Sequence, residues 1–158
     1  MRRCRVARFR RWHLEGVLEI EHASFGEEAY TREMFLELQR DCGELFFVAR
    51  RAGRVAGYIV SGLRADRAEI VSIAVDPACR RMGLGKALMA RTLQDLERRG
   101  ARRVGLMVRS SDAAAISFYR GFGFRPVRRV AGYYGDGGEG LRMVREITRT
   151  PTGAPGNS

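Results

Sequence analysis

Seven residues near the middle of the chain, Arg80-Arg81-Met82-Gly83-Leu84-Gly85-Lys86, have the types and order needed to hold an anion. They stand where a strand pattern gives way to a long helical one. Backbone N–H groups at a helix start lack intrahelical acceptors, and the helix dipole adds partial positive charge there, so a phosphate can accept several hydrogen bonds at once. Gly83 and Gly85 let it approach the backbone with no Cβ in the way, and Arg80, Arg81 and Lys86 add charge around it. The spacing is not G-x-x-x-x-G-K-[ST], nor is it G-x-G-x-x-G, because Ala87 and Leu88 occupy the place of the third glycine. Nucleoside triphosphates and dinucleotides are therefore poor candidates. A tight loop-to-helix turn with no ligand is the competing reading of two such glycines.

The elements that must position this turn follow from periodicity. Cys4 to Phe9 alternates weakly as a first strand, and Leu14, Val17 and Leu18 fall at helical spacing through about Ala23, before a break at Ser24 to Glu28. Thr31 is placed to cap a second helix with Met34, Phe35 and Leu38 on one face, ending near Arg40 to Cys42 with Gly43 just beyond. Leu45 to Ala49, Val55 to Leu63 and Ala68 to Val75 read as three strands of an antiparallel meander, the first two joined by a tight turn at Ala52-Gly53. Leu84, Leu88, Met89, Leu93 and Leu96 stripe a helix ending near Gly100. A strand at Val104 to Val108 follows, then a short helix capped by Asp112 and ending at Gly121, then strands around Phe124 to Val130 and Leu141 to Ile147. The order is β-α-α-β-β-β-α-β-α-β-β, with no internal repeat. Residues 149–158, holding Pro151, Gly153, Pro155 and Gly156, read as a disordered polar tail behind a domain over 1–148.

The chain has 158 residues, 45% hydrophobic and 30% charged, which suits one soluble core and excludes a disordered or membrane-spanning class. No apolar stretch follows the basic start at Arg2, Arg3 and Arg5, so no secretory signal is expected and the cytoplasm is the expected compartment. Cys4, Cys42 and Cys79 are scattered and only His13 and His22 could join them, which argues against a disulfide scaffold or a metal site. The net charge is +11, and Lys86 is the sole lysine among 29 basic residues. Such a charge draws anionic partners, but no long basic run or basic-aromatic repeat marks a nucleic-acid site, and none is expected.

Three ordered motifs carry a family resemblance. Arg80 to Gly85 fits [QR]-x-x-G-x-[GA], the signature of the GCN5-related N-acetyltransferase (GNAT) superfamily, and it follows the strand Ile73-Ala74-Val75-Asp76-Pro77. Asp112-Ala113-Ala114-Ala115-Ile116-Ser117-Phe118-Tyr119, leading into Gly121-Phe122-Gly123-Phe124, is similar to the family's second signature. Gly132-Tyr133-Tyr134-Gly135-Asp136-Gly137 resembles the Y-Y-x-D-G loop of N-terminal protein acetyltransferases, the branch with the ribosomal-protein alanine enzymes and their archaeal relatives. The resemblance covers about residues 3 to 147. It implies an α/β single-domain fold, with a mixed, mostly antiparallel central sheet of about seven strands flanked by about four helices.

The resemblance also implies roles. The Ile73, Ala74 and Val75 backbone would pair with the pantetheine arm of acetyl-CoA, and Arg80, Arg81, Met82, Gly83, Leu84, Gly85 and Lys86 would wrap its pyrophosphate. Asp112 stands where many relatives have an asparagine touching the pantetheine; it can cap a helix equally well but has no amide to donate. Tyr119 matches the tyrosine proposed to protonate the departing thiolate, Tyr133 and Tyr134 would line the substrate groove, and each could instead be a packing residue. The bacterial relatives' L-E-V-R string reads Leu106-Met107-Val108-Arg109 here, and methionine takes no proton. Glu69, in a string resembling the A-E-I-V of histone acetyltransferases, is the first candidate for the general base, an exposed arginine partner being its plainer role. Glu27 and Glu28, in a loop bordering the substrate, are the second.

The expected activity is acetyl transfer from acetyl-CoA to the α-amine of a protein or peptide N-terminus, a ribosomal protein being one candidate, by direct attack on the thioester. Two alternatives stand beside it. One is acetylation of a small-molecule amine or an internal lysine; the other is a non-catalytic acyl-CoA-binding or ribosome-associated basic module, to which Met107 and the +11 charge both point.

Overall fold

A computed structural model describes residues 4–148. The chain folds as β1 (Arg5–Arg8), α1 (Leu14–Phe25), α2 (Arg32–Cys42), β2 (Phe46–Arg51), β3 (Arg54–Arg64), β4 (Arg67–Val75), α3 (Leu84–Arg98), β5 (Arg103–Arg109), α4 (Ala113–Gly121), β6 (Arg125–Val130) and β7 (Gly140–Glu146). This is the element order read from periodicity, with its seven strands and four helices. The 149–158 tail lies outside the described residues. Backbone contacts resolve two compact units, one from residues up to Leu63 with Glu69–Leu96, the other from Arg64–Ala68 with the residues after Leu96.

In the first unit the strands run in the order β1-β2-β3-β4. β1 and β2 are antiparallel with Val6 opposite Ala49, and β2 and β3 pair with Phe47 opposite Ile59, the register slipping at Ala49/Arg50. β2 shows no alternation because both its faces are covered. Phe46 and Val48 enter a cluster with Val17, Leu18 and Ile20 of α1, Phe35 of α2 and Tyr58 of β3, while the ring of Phe47 carries the Arg91 guanidinium of α3 at 5.0 Å. A strand buried on two sides reads as an apolar run, which is the pattern of Leu45 to Ala49. Phe9, just after β1, stacks on Phe46 of β2 at 4.0 Å, and Phe35 of α2 meets Tyr58 of β3 edge-on at 5.6 Å.

Two glycines set this geometry. At Gly57 a Cβ would come within 3.1 Å of the Ala74 carbonyl and 3.2 Å of Leu88, so a larger residue there would crowd β4 and α3. At the β2–β3 turn both Ala52 (φ 52) and Gly53 (φ 77) are left-handed, the conformation of a type I′ hairpin.

Three local expectations change. α1 runs on to Phe25, past Ala23, before Gly26 with φ 56 ends it. Met34 is exposed, because the stripe of α2 that packs on the core is Phe35, Leu38 and Cys42, and Met34 falls at its margin. Gly43 stands just past α2 as expected but keeps a right-handed φ of −57 and opens a 3-10 turn over Gly43–Leu45.

In the second unit the strands run β5-β7-β6, all antiparallel, with Met107 opposite Arg142 and Arg109 opposite Gly140. β6 is exposed along nearly its whole length and carries Pro126 with Arg125, Arg128 and Arg129, which blunts it as an edge. Asp112 caps α4 as expected, its Oδ1 accepting from the Ala115 amide at 3.0 Å.

Candidate active site

The anion turn in the first unit is built from the end of β4. The Asp76 amide donates to the Ala56 carbonyl at 2.8 Å and its Oδ1 accepts from the Ala78 amide at 2.9 Å, fixing the exit of the strand into a 3-10 turn at Pro77–Cys79. Arg81 (φ 66) and Gly83 (φ 79) then reverse the chain in left-handed conformations. For arginine this costs on the order of 1 kcal/mol, so strain is concentrated where the anion would sit. The Ala87 amide donates to the Gly83 carbonyl at 3.0 Å as the first helical bond, which leaves the Leu84, Gly85 and Lys86 amides in the first turn without intrahelical acceptors. That turn holds no acidic residue, and Leu84 anchors it in the core. Arg80, Arg81, Met82, Gly83 and Lys86 are exposed, and a Cβ at Gly83 would meet nothing within 4 Å. The glycine is thus needed there for its φ, and the space beside it is open.

Upstream in β4, the Ser72 hydroxyl lies 3.0 Å from that of Tyr58 and Ala74 joins the same core cluster, while Ile73 and Val75 are half-buried. Glu69 is half-buried in the first part of the strand. Glu27 and Glu28 occupy an exposed 3-10 turn, Gly26–Glu28, directly after α1.

The second unit carries Tyr119 on α4, its ring edge-on to Phe118 at 5.5 Å and Phe124 at 6.0 Å. Burial, and then the Asp112 carboxylate and the Tyr134 phenol, push its pKa above the ordinary tyrosine value, so it holds its proton. Tyr133 is half-exposed and Tyr134 more sheltered, with their rings perpendicular at 5.0 Å. Their loop is clamped. The Arg109 guanidinium lies 4.2 Å from the centre of the Tyr134 ring and donates to Asp136 Oδ1 at 3.0 Å, and the same oxygen accepts from the Gly138 amide at 2.9 Å. The hydrogen bond from Arg109, then that from Gly138, holds the Asp136 carboxyl below its usual pKa. A Cβ on Gly140 would come within 2.7 Å of Met107 Cε and 3.1 Å of Tyr133, so the Met107 side chain and Tyr133 crowd the same backbone.

Sequence reasoning missed Arg109 and Asp136 as a pair, although an arginine ending β5 and an aspartate in a D-G turn are both visible. It also missed Glu21. Leu14, Val17, Leu18 and Glu21 follow one helical stripe, and Glu21 is indeed 2% exposed on the core side of α1. Its Oε1 accepts from the Tyr30 amide at 3.1 Å, and burial lifts its pKa to about 7. Among the described residues no group of three or more His, Cys, Asp or Glu side chains could hold a metal, and no helix is long and apolar enough to cross a membrane.

The first unit thus carries a strand that ends in a left-handed turn before a helix start free of acids, and the second a half-buried tyrosine on a short capped helix. The family model described as "Acetyltransferase (GNAT) family" matches residues 14–124, and the chain belongs to that family. It is 38% identical over 90 residues to the [ribosomal protein bS18]-alanine N-acetyltransferase of Escherichia coli K12, a stretch spanning 57% of this chain and 61% of that protein. It is 31% identical over 147 residues to the N-alpha-acetyltransferase of Sulfolobus acidocaldarius, covering 85% of this chain and 87% of that one. Among solved structures, Ard1 from Thermoplasma volcanium superposes with a TM-score of 0.88 at 33% identity over 92% of this chain and 99% of that one.

Proposed function

We propose that this chain is an acetyl-CoA-dependent N-acetyltransferase of the cytoplasm that acetylates the α-amine of a protein or peptide N-terminus, with residues 1–148 as its transferase domain. The β4–α3 turn carries this reading: three amides without helical acceptors, no acid in the first turn, and exposed Arg80, Arg81 and Lys86 suit a pyrophosphate. The Gly83 to Lys86 backbone would hold that group, and the β4 backbone at Ile73 to Val75 would pair with the amide-bearing arm. Bound acetyl-CoA supplies an activated acyl group that an amine can attack directly. Asp112 serves first as the cap of α4.

Relatives named N-alpha-acetyltransferase and ribosomal-protein alanine acetyltransferase support a protein N-terminus, a ribosomal one included, as acceptor. The chemistry suits an α-amine too. With a pKa near 7.7–8.0 it is roughly a tenth neutral at pH 7, against well under a thousandth for a lysine near 10.4. A strong base is therefore dispensable, in keeping with the apolar Met107. Glu69 is the group assigned to draw off the proton, Glu27 and Glu28 border the amine, and Tyr133 and Tyr134 shape the slot for the peptide. If Glu69 is the base, Glu69→Gln lowers kcat by about 10²-fold with unchanged acetyl-CoA affinity; an unchanged kcat removes it from the reaction.

The reading is tested by incubating the protein and acetyl-CoA with peptides that carry both a free α-amine and an internal lysine, and locating the acetyl group by tandem mass spectrometry. Acetyl on the first residue alone is expected. Acetyl on the lysine alone would overturn the assignment.

A further inference from the structure

The link between α1 and α2 is closed locally by the Ala29 amide, which donates to the Gly26 carbonyl at 3.1 Å. Gly26 leaves the helix at φ 56, the 3-10 turn Gly26–Glu28 buries no side chain, and the chain then extends through Ala29 to reach Thr31, whose hydroxyl caps α2 by accepting from the Met34 amide. The anchor comes from one helix turn earlier. Glu21 reaches across nine residues and accepts the Tyr30 amide on Oε1, while the Tyr30 ring sits edge-on to Phe35 at 5.8 Å. The far oxygen, Oε2, is buried and has no hydrogen-bond partner among the described residues.

A carboxyl in this place is costly to the fold. Its position on the α1 stripe is one that a leucine would fill without desolvating a polar atom, and an unsatisfied buried oxygen forfeits its hydration. The one thing Glu21 does that leucine cannot is accept that backbone amide. We infer that Glu21 is a positioning residue for the amine-binding segment: its buried carboxyl fixes the course of residues 26–30, and so the placement of Glu27 and Glu28, without touching the reacting atoms. This rests on the reading above that Glu27 and Glu28 border the acceptor amine.

The test compares Glu21→Gln, which keeps a carbonyl oxygen for the Tyr30 amide, with Glu21→Leu, which removes it. Residue-resolved amide exchange, peptide KM and kcat, and acetyl-CoA affinity are measured on the full chain. In Glu21→Leu the Tyr30 amide is expected to exchange at least about tenfold faster and peptide KM to rise about tenfold, the scale of one net hydrogen bond to a buried group, with acetyl-CoA affinity unchanged. Glu21→Gln is expected to keep Tyr30 protection and KM within about twofold of the parent. Unchanged KM and exchange in Glu21→Leu would overturn the inference, and so would a kcat in Glu21→Gln at least about tenfold below the parent's, since the carboxyl would then act on protons rather than on position. A parent protein that turns over no peptide would fault the acceptor assignment instead, and amide exchange would still decide whether Glu21 holds the segment.

Discussion

A phenol whose pKa is pushed upward is a poor donor of its whole proton to a thiolate. The Tyr119 hydroxyl is held above the ordinary tyrosine value by burial first and by Asp112 and Tyr134 after it, whereas an ordinary thiol sits near 8.5. In the proposed role beside the departing sulfur, full transfer from Tyr119 would be uphill, whereas donating a hydrogen bond as negative charge builds would not. Tyr119→Phe is accordingly expected to lower kcat by about 10- to 100-fold while leaving acetyl-CoA affinity within twofold, read by steady-state kinetics and calorimetry; full activity would return Tyr119 to a packing role. Glu21 makes a second residue-level case. Its folded pKa of about 7 lies above the 4.5 of a free glutamate, so between those values the folded chain binds the extra proton. Stability from this group is fully present below pH 4.5 and is lost as pH rises through 7, by about 3 kcal/mol at most. Urea unfolding from pH 4.5 to 8 should show that decline in the parent and a flatter profile in Glu21→Gln; equal slopes would contradict it. The stripe Leu14, Val17, Leu18 already placed Glu21 on the buried face, so its burial was legible, but its bond to the Tyr30 amide depends on how the chain turns after Gly26, which no period reports.

At the scale of elements, the β4–α3 turn combines a glycine at φ 79 with a helix start free of acids, the two features on which the proposed pyrophosphate site depends. Gly83→Asp keeps a residue type that tolerates left-handed backbone, so the fold should survive, while a carboxylate enters the anion's place. Acetyl-CoA affinity is expected to fall at least about tenfold by calorimetry; retained affinity would mean that the pyrophosphate sits elsewhere. The tyrosine loop depends on the Arg109–Asp136 clamp. Asp136→Asn loses the ion pair and keeps the local turn, and peptide KM should rise about three- to tenfold with acetyl-CoA affinity unmoved. An equal loss in both would point to a general fault in folding. Helices and strands were legible because each has one period and visible stops: Thr31 and Asp112 cap, Gly121 ends, Ala52-Gly53 turns. The clamp was not, because it joins a strand end to a loop 27 residues on, and only the antiparallel pairing of β5 with β7 brings them side by side.

For the whole molecule, the class was legible from three short motifs in the right order, and the family match over residues 14–124 agrees with them. Strand order was not. Sequence order runs β5, β6, β7, but β7 lies next to β5 and β6 takes the edge, a choice made by which strand can be left exposed rather than by any local pattern. The net charge of +11 is an excess of arginine left after every carboxylate is counted, and within the chain Arg32, Arg103, Arg109 and Arg129 pair with carboxylates. The central claim is that the chain moves acetyl from acetyl-CoA to a free α-amine. Release of CoA thiol, followed with short peptides that are identical except for a free or an acetylated first residue, tests it most directly. The account requires release with the free peptides and none above background with the blocked ones. Equal release from both, or none from any peptide despite tight acetyl-CoA binding, would contradict it.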